Sequence, residues 1–339
     1  MITVKDSEYI VSISYENAED FLKSISYKGD LYDKLSNGNF VFRGHSTDEY
    51  KLLPTALRPY FAYNETERNS LLSESDKKLY SILSSTEFGQ IMEERRLLEQ
   101  FFLRCDENGL YVPHIETLRN SFMPGFDVEK VFGGCKWLPK DYWELAALAQ
   151  HHGVKTRLLD WSYDFFVALY FSTTGVFKDR SRFDELESSL YVQRSKTEKF
   201  AEKNMEIWAL DDSVFLVNPT KNPLKIVKPR YHDNDYLCAQ KGCFTFWESE
   251  FLGVGYKDKK EYLKNKTDRR ALDEQLDSYL KSINHPTDKK VLYQITISQS
   301  AAREIYDYID KMGYNASKIF PGYDGVVKAI EERKRILNK

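Results

Sequence analysis

One twelve-residue segment, residues 150–161, constrains the fold more than any other part of the chain. It reads QHHGVKTRLLDW, so a helix-stopping glycine at Gly153 stands among two imidazoles, a guanidinium, a carboxylate and an indole. A segment that served packing alone would not need so many polar groups beside apolar ones. A second arginine, Arg43, follows two apolar residues and precedes Gly44. Two arginines in apolar settings indicate a site that binds an anion.

The bulk composition is that of a globular chain, long enough for one large or two small domains. Of its 339 residues, 42% are hydrophobic and 30% charged, which argues against a disordered chain. The net charge of −3 gives no support for a generally basic surface that binds nucleic acid, although it is compatible with a local basic patch. The four cysteines form no C-x-x-C pair, so we expect reduced thiols and no metal site. The sequence shows no secretory leader and no apolar run of about 20 residues. We therefore expect a cytoplasmic protein without a membrane span.

Hydrophobic periodicity predicts a mixture of helices and strands, with helices prominent early and strands late. Residues 8–28 read as a strand and then a helix that starts near Asn17, and residues 39–43 alternate like a strand that runs into a turn at Gly44. Further helices are predicted over 88–105, 299–313 and 325–337, and further strands over 206–210, 243–246 and 291–297. The fold class that fits this order is α+β.

The helix that leads into the QHHG segment has marked ends. Asp141 and Glu144 have the spacing of a capping box, and Gly153 supplies the C-terminal stop. Ser162 is placed to cap the apolar run 165–171, for which we favour a helix over a buried strand.

The motifs occur in an order that resembles the FRG-domain family, named for its Phe-Arg-Gly motif. That motif is Phe42-Arg43-Gly44 here. The other matching pieces are Leu52-Leu53-Pro54 with Arg58, Glu144 to Gly153, Thr156 to Trp161, Ala168 to Phe171, Gln240-x-Gly242-x-Phe244, and Ile319 to Gly325. The tripeptide alone is not specific, whereas the whole set is. The resemblance implies an FRG domain over residues 40–330, after a strand-helix extension over 1–39 and before a basic tail over 331–339. A charged stretch at 255–289 is predicted to be a solvated insertion.

A second resemblance, carried by motif order, is to the ADP-ribosyltransferase fold. Its sites use an Arg-Gly or His-Gly at a strand end, then a Ser or Tyr motif, then a Glu or Gln near the end of the sheet. Arg43-Gly44, Tyr170-Phe171-Ser172-Thr173 and Gln240 fill those places. This resemblance implies an ADP-ribosyltransferase-like mixed sheet core with flanking helices, and NAD as the substrate. The chain departs from the pattern because Gln240 stands where glutamate is usual, although Glu248 and Glu250 follow it.

The same resemblance assigns roles to individual residues. Cleavage of the nicotinamide–ribose bond of NAD builds positive charge on the ribose. Arg43 would hold the dinucleotide, Gln240 would orient the ribose, and His151 would serve as an acid or base near neutral pH. The residues expected to contact the cofactor are Arg43, Gly44, Arg157, Asp160, Tyr170 and Ser172.

Each of these residues also has a structural interpretation. Arg43 could be a buried arginine that pairs with Asp160, or Arg157 could pair with Asp160 three residues away. Tyr170 on an apolar run is core by default, and Gln240 could satisfy backbone groups at a strand edge. A cleft shared by Arg43, Tyr170 and Gln240 would favour a ligand site over these structural roles.

Three functions stay open at this point. The first is an enzyme that transfers ADP-ribose from NAD to RNA, DNA or protein, or hydrolyses NAD. Such an activity would suit a toxin or antiphage effector with an antitoxin or chaperone partner. The second is a non-catalytic module that binds a nucleotide or a nucleic-acid end, which the missing glutamate favours. The third, a nuclease that uses His45 or His151, ranks last because the sequence shows no metal-binding carboxylate cluster.

Overall fold

The fold is described from a computed structural model that covers most of the chain. The described residues are 2–6, 8–36, 38–58, 86–119, 135–190, 203–218, 221–232, 234–251 and 265–337. The strands among them are β1 (Ile2–Asp6), β2 (Ile10–Tyr15), β3 (Phe40–His45), β4 (Cys135–Trp137), β5 (Leu159–Ser162), β6 (Asn204–Asp211), β7 (Leu224–Val227), β8 (Gly242–Trp247), β9 (Ser249–Phe251) and β10 (Leu292–Ser298). The helices are α1 (Ala18–Ile25), α2 (Asp30–Ser36), α3 (Glu87–Glu107), α4 (Glu116–Arg119), α5 (Trp143–His151), α6 (Phe165–Leu190), α7 (Asp235–Ala239), α8 (Leu272–Ser282), α9 (Ala302–Lys311), α10 (Ala316–Ile319) and α11 (Tyr323–Leu337). In this described part, no helix combines the length and the apolar character needed to cross a bilayer.

Eight of these strands form one mixed sheet, in the order β1-β2-β10-β6-β3-β5-β8-β7. Strands β2 and β10 run parallel, with Val11 opposite Tyr293, and the other neighbours run antiparallel. A separate two-stranded sheet pairs β4 with β9. Because helices flank this mixed sheet, the predicted α+β class is confirmed.

Alternation along β3 decides which face of the sheet each motif residue occupies. Phe40 and Phe42 belong to the core that includes α6, whereas Val41 belongs to a second core. Side chains of a strand alternate between its two faces, so Arg43 and His45 lie on the face of Val41. The Phe-Arg-Gly motif therefore sends its aromatic ring to one side of the sheet and its guanidinium to the other.

Gly44 is needed because α6 packs directly against β3. A Cβ at this position would lie 1.9 Å from the main-chain oxygen of Ala168, and one at Gly175 would lie 2.7 Å from the Cβ of Ser46. Two glycines, one on each element, thus let backbone approach backbone. The predicted role of Gly44, close approach to a cofactor, stays a prediction, and α6 fills the side of Gly44 on which a Cβ would stand.

The predicted elements are largely confirmed, and the corrections concern helix starts. The run from Phe165 is helical as favoured, but Asp164 caps it by accepting from the backbone of Phe166 at 3.0 Å. Ser162 instead donates to the main-chain oxygen of Gln240 at 2.6 Å. Helix α5 begins after a turn of 3-10 helix and has no side-chain cap, so the capping box predicted at Asp141 is wrong.

The charged stretch at 255–289 is not all solvated. Its second half contains α8, an amphipathic helix whose Leu272, Leu276 and Leu280 are buried in the same core as Val41. The prediction of a solvated insertion is therefore wrong for α8, because leucines at four-residue spacing place one face of this charged helix in the interior. At the other end of the chain, β1 and β2 are part of the main sheet, which they extend beyond β10.

Candidate functional site

Strands β3 and β5 diverge at the point where the Arg43 side chain lies. In the described sheet they share a single paired position, Phe42 opposite Ser162. Arg43 follows that pair, and its Nη1 donates to the main-chain oxygen of Asp160 at 2.8 Å and to Oδ2 of the same residue at 3.3 Å. The guanidinium therefore bridges two strands that are no longer joined by backbone hydrogen bonds.

His45 holds the guanidinium of Arg43 from behind. Arg43 Nε donates to His45 Nε2 at 2.9 Å, so the ring proton belongs on Nδ1, which lies 2.8 Å from Glu206 Oε1. The pKa of His45 is lowered, chiefly because the ring is buried. The hydrogen bond to Glu206 raises this pKa, whereas the positive charge of Arg43 lowers it further. His45 is thus a neutral relay between a cation and a carboxylate.

Glu206 anchors this network in the interior of the sheet. Its carboxylate is almost fully buried and accepts from Trp208 Nε1 at 2.8 Å and from Gln294 Nε2 at 3.0 Å, in addition to His45. Gln294 in turn accepts from Ser12 at 3.0 Å. The network crosses four neighbouring strands, β3, β6, β10 and β2, and every member has a partner. A satisfied buried network of this kind holds its end group in one position.

A second guanidinium, that of Arg58, lies near Arg43. Its Nε donates to the main-chain oxygen of Leu53 at 3.0 Å. Burial lowers the pKa of Arg58, and so does the positive charge of Arg43, while Asp160 opposes both effects. Two like charges are therefore close enough to disfavour each other, with one carboxylate to balance them.

Asp160 is the exposed member of the site. Its side chain is 62% exposed, whereas that of Arg43 is 16% exposed. Oδ1 accepts from Gln150 Nε2 at 2.5 Å, and Gln150 also accepts from Thr156. The last turn of α5 is thereby tied to β5, and the carboxylate is held in place while solvent still reaches it. The pairing of Arg43 with Asp160, one of the structural alternatives, is confirmed.

Residues 89–181 match the family model of the FRG domain. Over this range the chain is similar to the FRG domain. The matched range runs from α3 into α6, so it contains Gln150 and Asp160, and the Phe-Arg-Gly motif itself lies upstream of it. Comparison of the chain with curated proteins and with solved structures found no match.

Arg157 lies in the interior and takes no part in the Arg43 site. It forms a two-point ion pair with Glu94, at 2.8 and 2.9 Å, and a further contact with Glu87 at 3.2 Å. Its remaining terminal nitrogen donates to Ser249 at 2.5 Å. The predicted pairing of Arg157 with Asp160 is wrong, and all its nitrogens are occupied by protein groups. Arg157 therefore locks α3 to the segment before β5, and it would have to leave these partners to make its predicted contact with a cofactor.

Tyr170 and Ser172 lie on α6 and are buried on the far side of the sheet from the guanidinium. The hydroxyl of Tyr170 donates to the carboxylate of Glu332, 2.9 Å from each oxygen, and Ser172 donates to the main-chain oxygen of Leu169. Neither side chain has more than 1% of its surface exposed. The structure does not bring them to Arg43, because the run that contains them is a helix covered by α11.

Gln240 is also separate from the Arg43 site. It follows α7, and its side-chain amide donates to the main-chain oxygen of Ile319 at 3.3 Å. Ile319 belongs to the core on the α6 side. The alternative carboxylate, Glu248, forms an ion pair with Lys136 at 3.1 Å. A cleft shared by Arg43, Tyr170 and Gln240 is therefore absent from the described structure.

His151 lies at the border of the site. Its ring is exposed at the end of α5, 5.8 Å from the ring of Tyr236. The pKa of His151 is lowered, chiefly by partial burial and to a smaller extent by the neighbouring His152. The negative charge of Asp160 acts in the opposite direction and raises this pKa. The structure thus groups Arg43, Arg58, Asp160 and, at the edge, His151.

Sequence reasoning missed three members of this site. The sequence pattern indicates Glu206 only as the start of a strand, Gln150 only as part of a helix end, and Arg58 only as a family match without a role. One signal for Glu206 was present: it alternates with Trp208 along β6, so both face the side on which Arg43 lies.

Proposed function

We propose that this chain binds the phosphate of a nucleotide at Arg43 and Arg58. The observation that carries this proposal is that Arg43, which pairs with the exposed carboxylate of Asp160 where β3 and β5 diverge, has a second guanidinium, that of Arg58, close to it. Guanidinium groups suit phosphate because each can donate two parallel hydrogen bonds to it. Even in a chain of net charge −3, two neighbouring guanidiniums that face the exposed side of the site, away from the buried Glu206, favour an anion at that place.

The geometry suggests how a nucleotide would be oriented. Within the described part of the chain, Nη2 of Arg43 makes no hydrogen bond, so it can donate to a phosphate without breaking the contacts to His45 and Asp160. Asp160, fixed by Gln150 and open to solvent, can accept hydrogen bonds from ribose hydroxyls. A ligand with phosphate and ribose next to each other would use both ends of the site.

ADP-ribosyl transfer from NAD is a second candidate function. It is favoured by the sheet order, because β3, β5 and β8 are adjacent and bring the Phe-Arg-Gly motif, Asp160 and the strand after Gln240 side by side. The carboxylate nearest to Arg43 is that of Asp160, so we expect Asp160 to face the positive charge that develops on ribose. RNA, DNA or protein would be the acceptor. A role as a toxin or antiphage effector rests on this second candidate.

Calorimetric titration of the full chain with ADP, NAD and inorganic phosphate tests the first proposal. We expect Arg43→Ala to weaken nucleotide binding by about tenfold or more, since a hydrogen bond to a charged group contributes about 1.5–3 kcal/mol. Arg43→Lys should recover only part of this loss, because lysine lacks the guanidinium fork. Arg104→Ala is a matched control, because Arg104 forms an exposed pair with Glu107.

The outcomes separate the two candidate functions. Nucleotide binding that Arg43→Ala leaves unchanged would refute the proposed site. Nicotinamide release from labelled NAD, lost in Asp160→Asn while NAD is still bound, would support the transferase. Binding without turnover for any acceptor would leave a nucleotide-binding module.

A further inference from the structure

A row of rings passes the edge of the Arg43 site at His151 and continues to Phe171 on α6. Successive ring centroids are between 5.1 and 6.3 Å apart. In order, the members of this aromatic row are Phe101, His152, His151, Tyr236, Phe320 and Phe171. They come from five separate segments of the chain, so the row is a product of the tertiary fold.

Core packing alone does not account for the aromatic row. His151 and His152 are exposed, and Phe101, Tyr236, Phe320 and Phe171 are each only partly buried. Partly buried aromatic side chains are held by the core at their base and still offer surface to a ligand. The two imidazoles in the middle contact neighbouring rings on one side and are open to solvent on the other.

Positive charge accompanies the aromatic row. The ammonium group of Lys328 lies 3.4 Å from the centre of the Phe320 ring. In the middle of the row, the charge of Asp160 acts on His151, and the Asp160 carboxylate is already paired with Arg43. A cation placed against a ring fits a ligand that carries both aromatic groups and negative charge.

We propose that single-stranded nucleic acid lies along the aromatic row, with its bases against the rings and its phosphates toward Lys328 and the imidazoles. Bases of a single strand expose the faces that can stack on such rings, whereas a duplex hides them. A protein partner is less favoured, because the central imidazoles and Lys328 would have to be buried with it. The proposal goes beyond nucleotide binding at Arg43 and does not depend on it.

Fluorescence anisotropy with a labelled single-stranded oligonucleotide tests the proposal on the full chain. We expect Tyr236→Ala to weaken binding at least fivefold, the smallest loss typical for one stacking ring. Tyr236→Phe should bind like the unaltered protein, because it keeps the ring. Lys328→Gln should weaken binding and reduce its dependence on salt. Tyr27→Ala is the matched control, since Tyr27 is an exposed ring with its own lysine, Lys28, at 5.4 Å.

Each outcome bears on the proposal. Loss of binding in Tyr236→Ala and in His151→Ala, with Tyr236→Phe and Tyr27→Ala unaffected, supports it. Absence of binding by the unaltered protein, equal binding of a duplex, or normal binding by Tyr236→Ala overturns it. Parallel titration of Arg43→Ala with ADP keeps the two proposals distinguishable, because single-strand binding that survives in that variant belongs to the aromatic row.

Discussion

Replacing Gly44 with alanine tests the packing of β3 against α6. The new Cβ would lie 1.9 Å from the main-chain oxygen of Ala168 and 2.9 Å from the carbonyl carbon of the same residue. Ordinary contact begins near 3.4 Å, so strand and helix would have to separate by about 1.5 Å. A side chain could rotate out of the way, but a helix backbone cannot. We therefore expect a loss of about 3 kcal/mol or more in the free energy of unfolding, the upper end for overpacking.

Urea unfolding followed by tryptophan fluorescence measures this loss. Gly109→Ala is the matched control, because Gly109 has φ +69° with no atom near its added methyl group. Its free energy of unfolding should fall by only about 1–2 kcal/mol, the cost of holding a residue with a Cβ in the left-handed conformation. The reasoning about Gly44 would be refuted if Gly44→Ala unfolded at the same urea concentration as the unaltered protein. A smaller loss than that of Gly109→Ala would refute it as well.

Three further predictions concern buried charge and titration. Arg157→Ala leaves Glu94 buried without its cation and should lower the free energy of unfolding by about 3–5 kcal/mol. Arg104→Ala, at an exposed ion pair, should lower it by under about 1 kcal/mol. Equal losses of the two variants in urea unfolding would contradict this prediction. Burial lowers the pKa of His45, so its contribution to stability is complete above the unfolded pKa of about 6.5 and is lost as the pH falls below it. His45→Asn should make the free energy of unfolding depend less on pH below that value. An unchanged dependence on pH would count against a lowered pKa for His45. Burial lowers the pKa of Lys328 to about 8, so mass spectrometry after brief acetylation at pH 8 should find Lys328 modified ahead of most other lysines; uniform labelling would argue otherwise.

The sequence predicted the parts of the fold that local pattern decides. The predicted bounds of β3 and β6 agree with the structure within two residues, because short runs rich in apolar residues mark strands whose two faces are both covered. The helix from Phe165 was also found. Its true cap, Asp164, was missed because Ser162 is an equally good capping residue, and its commitment to Gln240 depends on a distant segment.

The candidate site was predicted only in part, because several of its contacts depend on residues that are distant in the sequence. Arg43 and Asp160 were both named, since arginine and aspartate in apolar settings are unusual enough to be noticed. Arg157 was grouped with them, yet its partners are glutamates on α3, more than sixty residues upstream. Nothing in the sequence near Arg157 distinguishes a guanidinium that faces a ligand from one that faces those glutamates.

The parallel pairing of β2 with β10 has a consequence for how the chain folds during synthesis. Strand β2 ends at Tyr15 and β10 begins at Leu292, about 280 residues later. At synthesis rates of about 5–20 residues per second, β2 leaves the ribosome roughly 15–55 seconds before its partner has been made. Through that interval the Val11, Ile13 and Tyr15 side chains, buried in the finished protein, have no sheet to join beyond the β1 hairpin. Until about the last seventh of the chain has been made, the nascent protein therefore exposes an unpaired edge of β2, which is open to pairing with another chain.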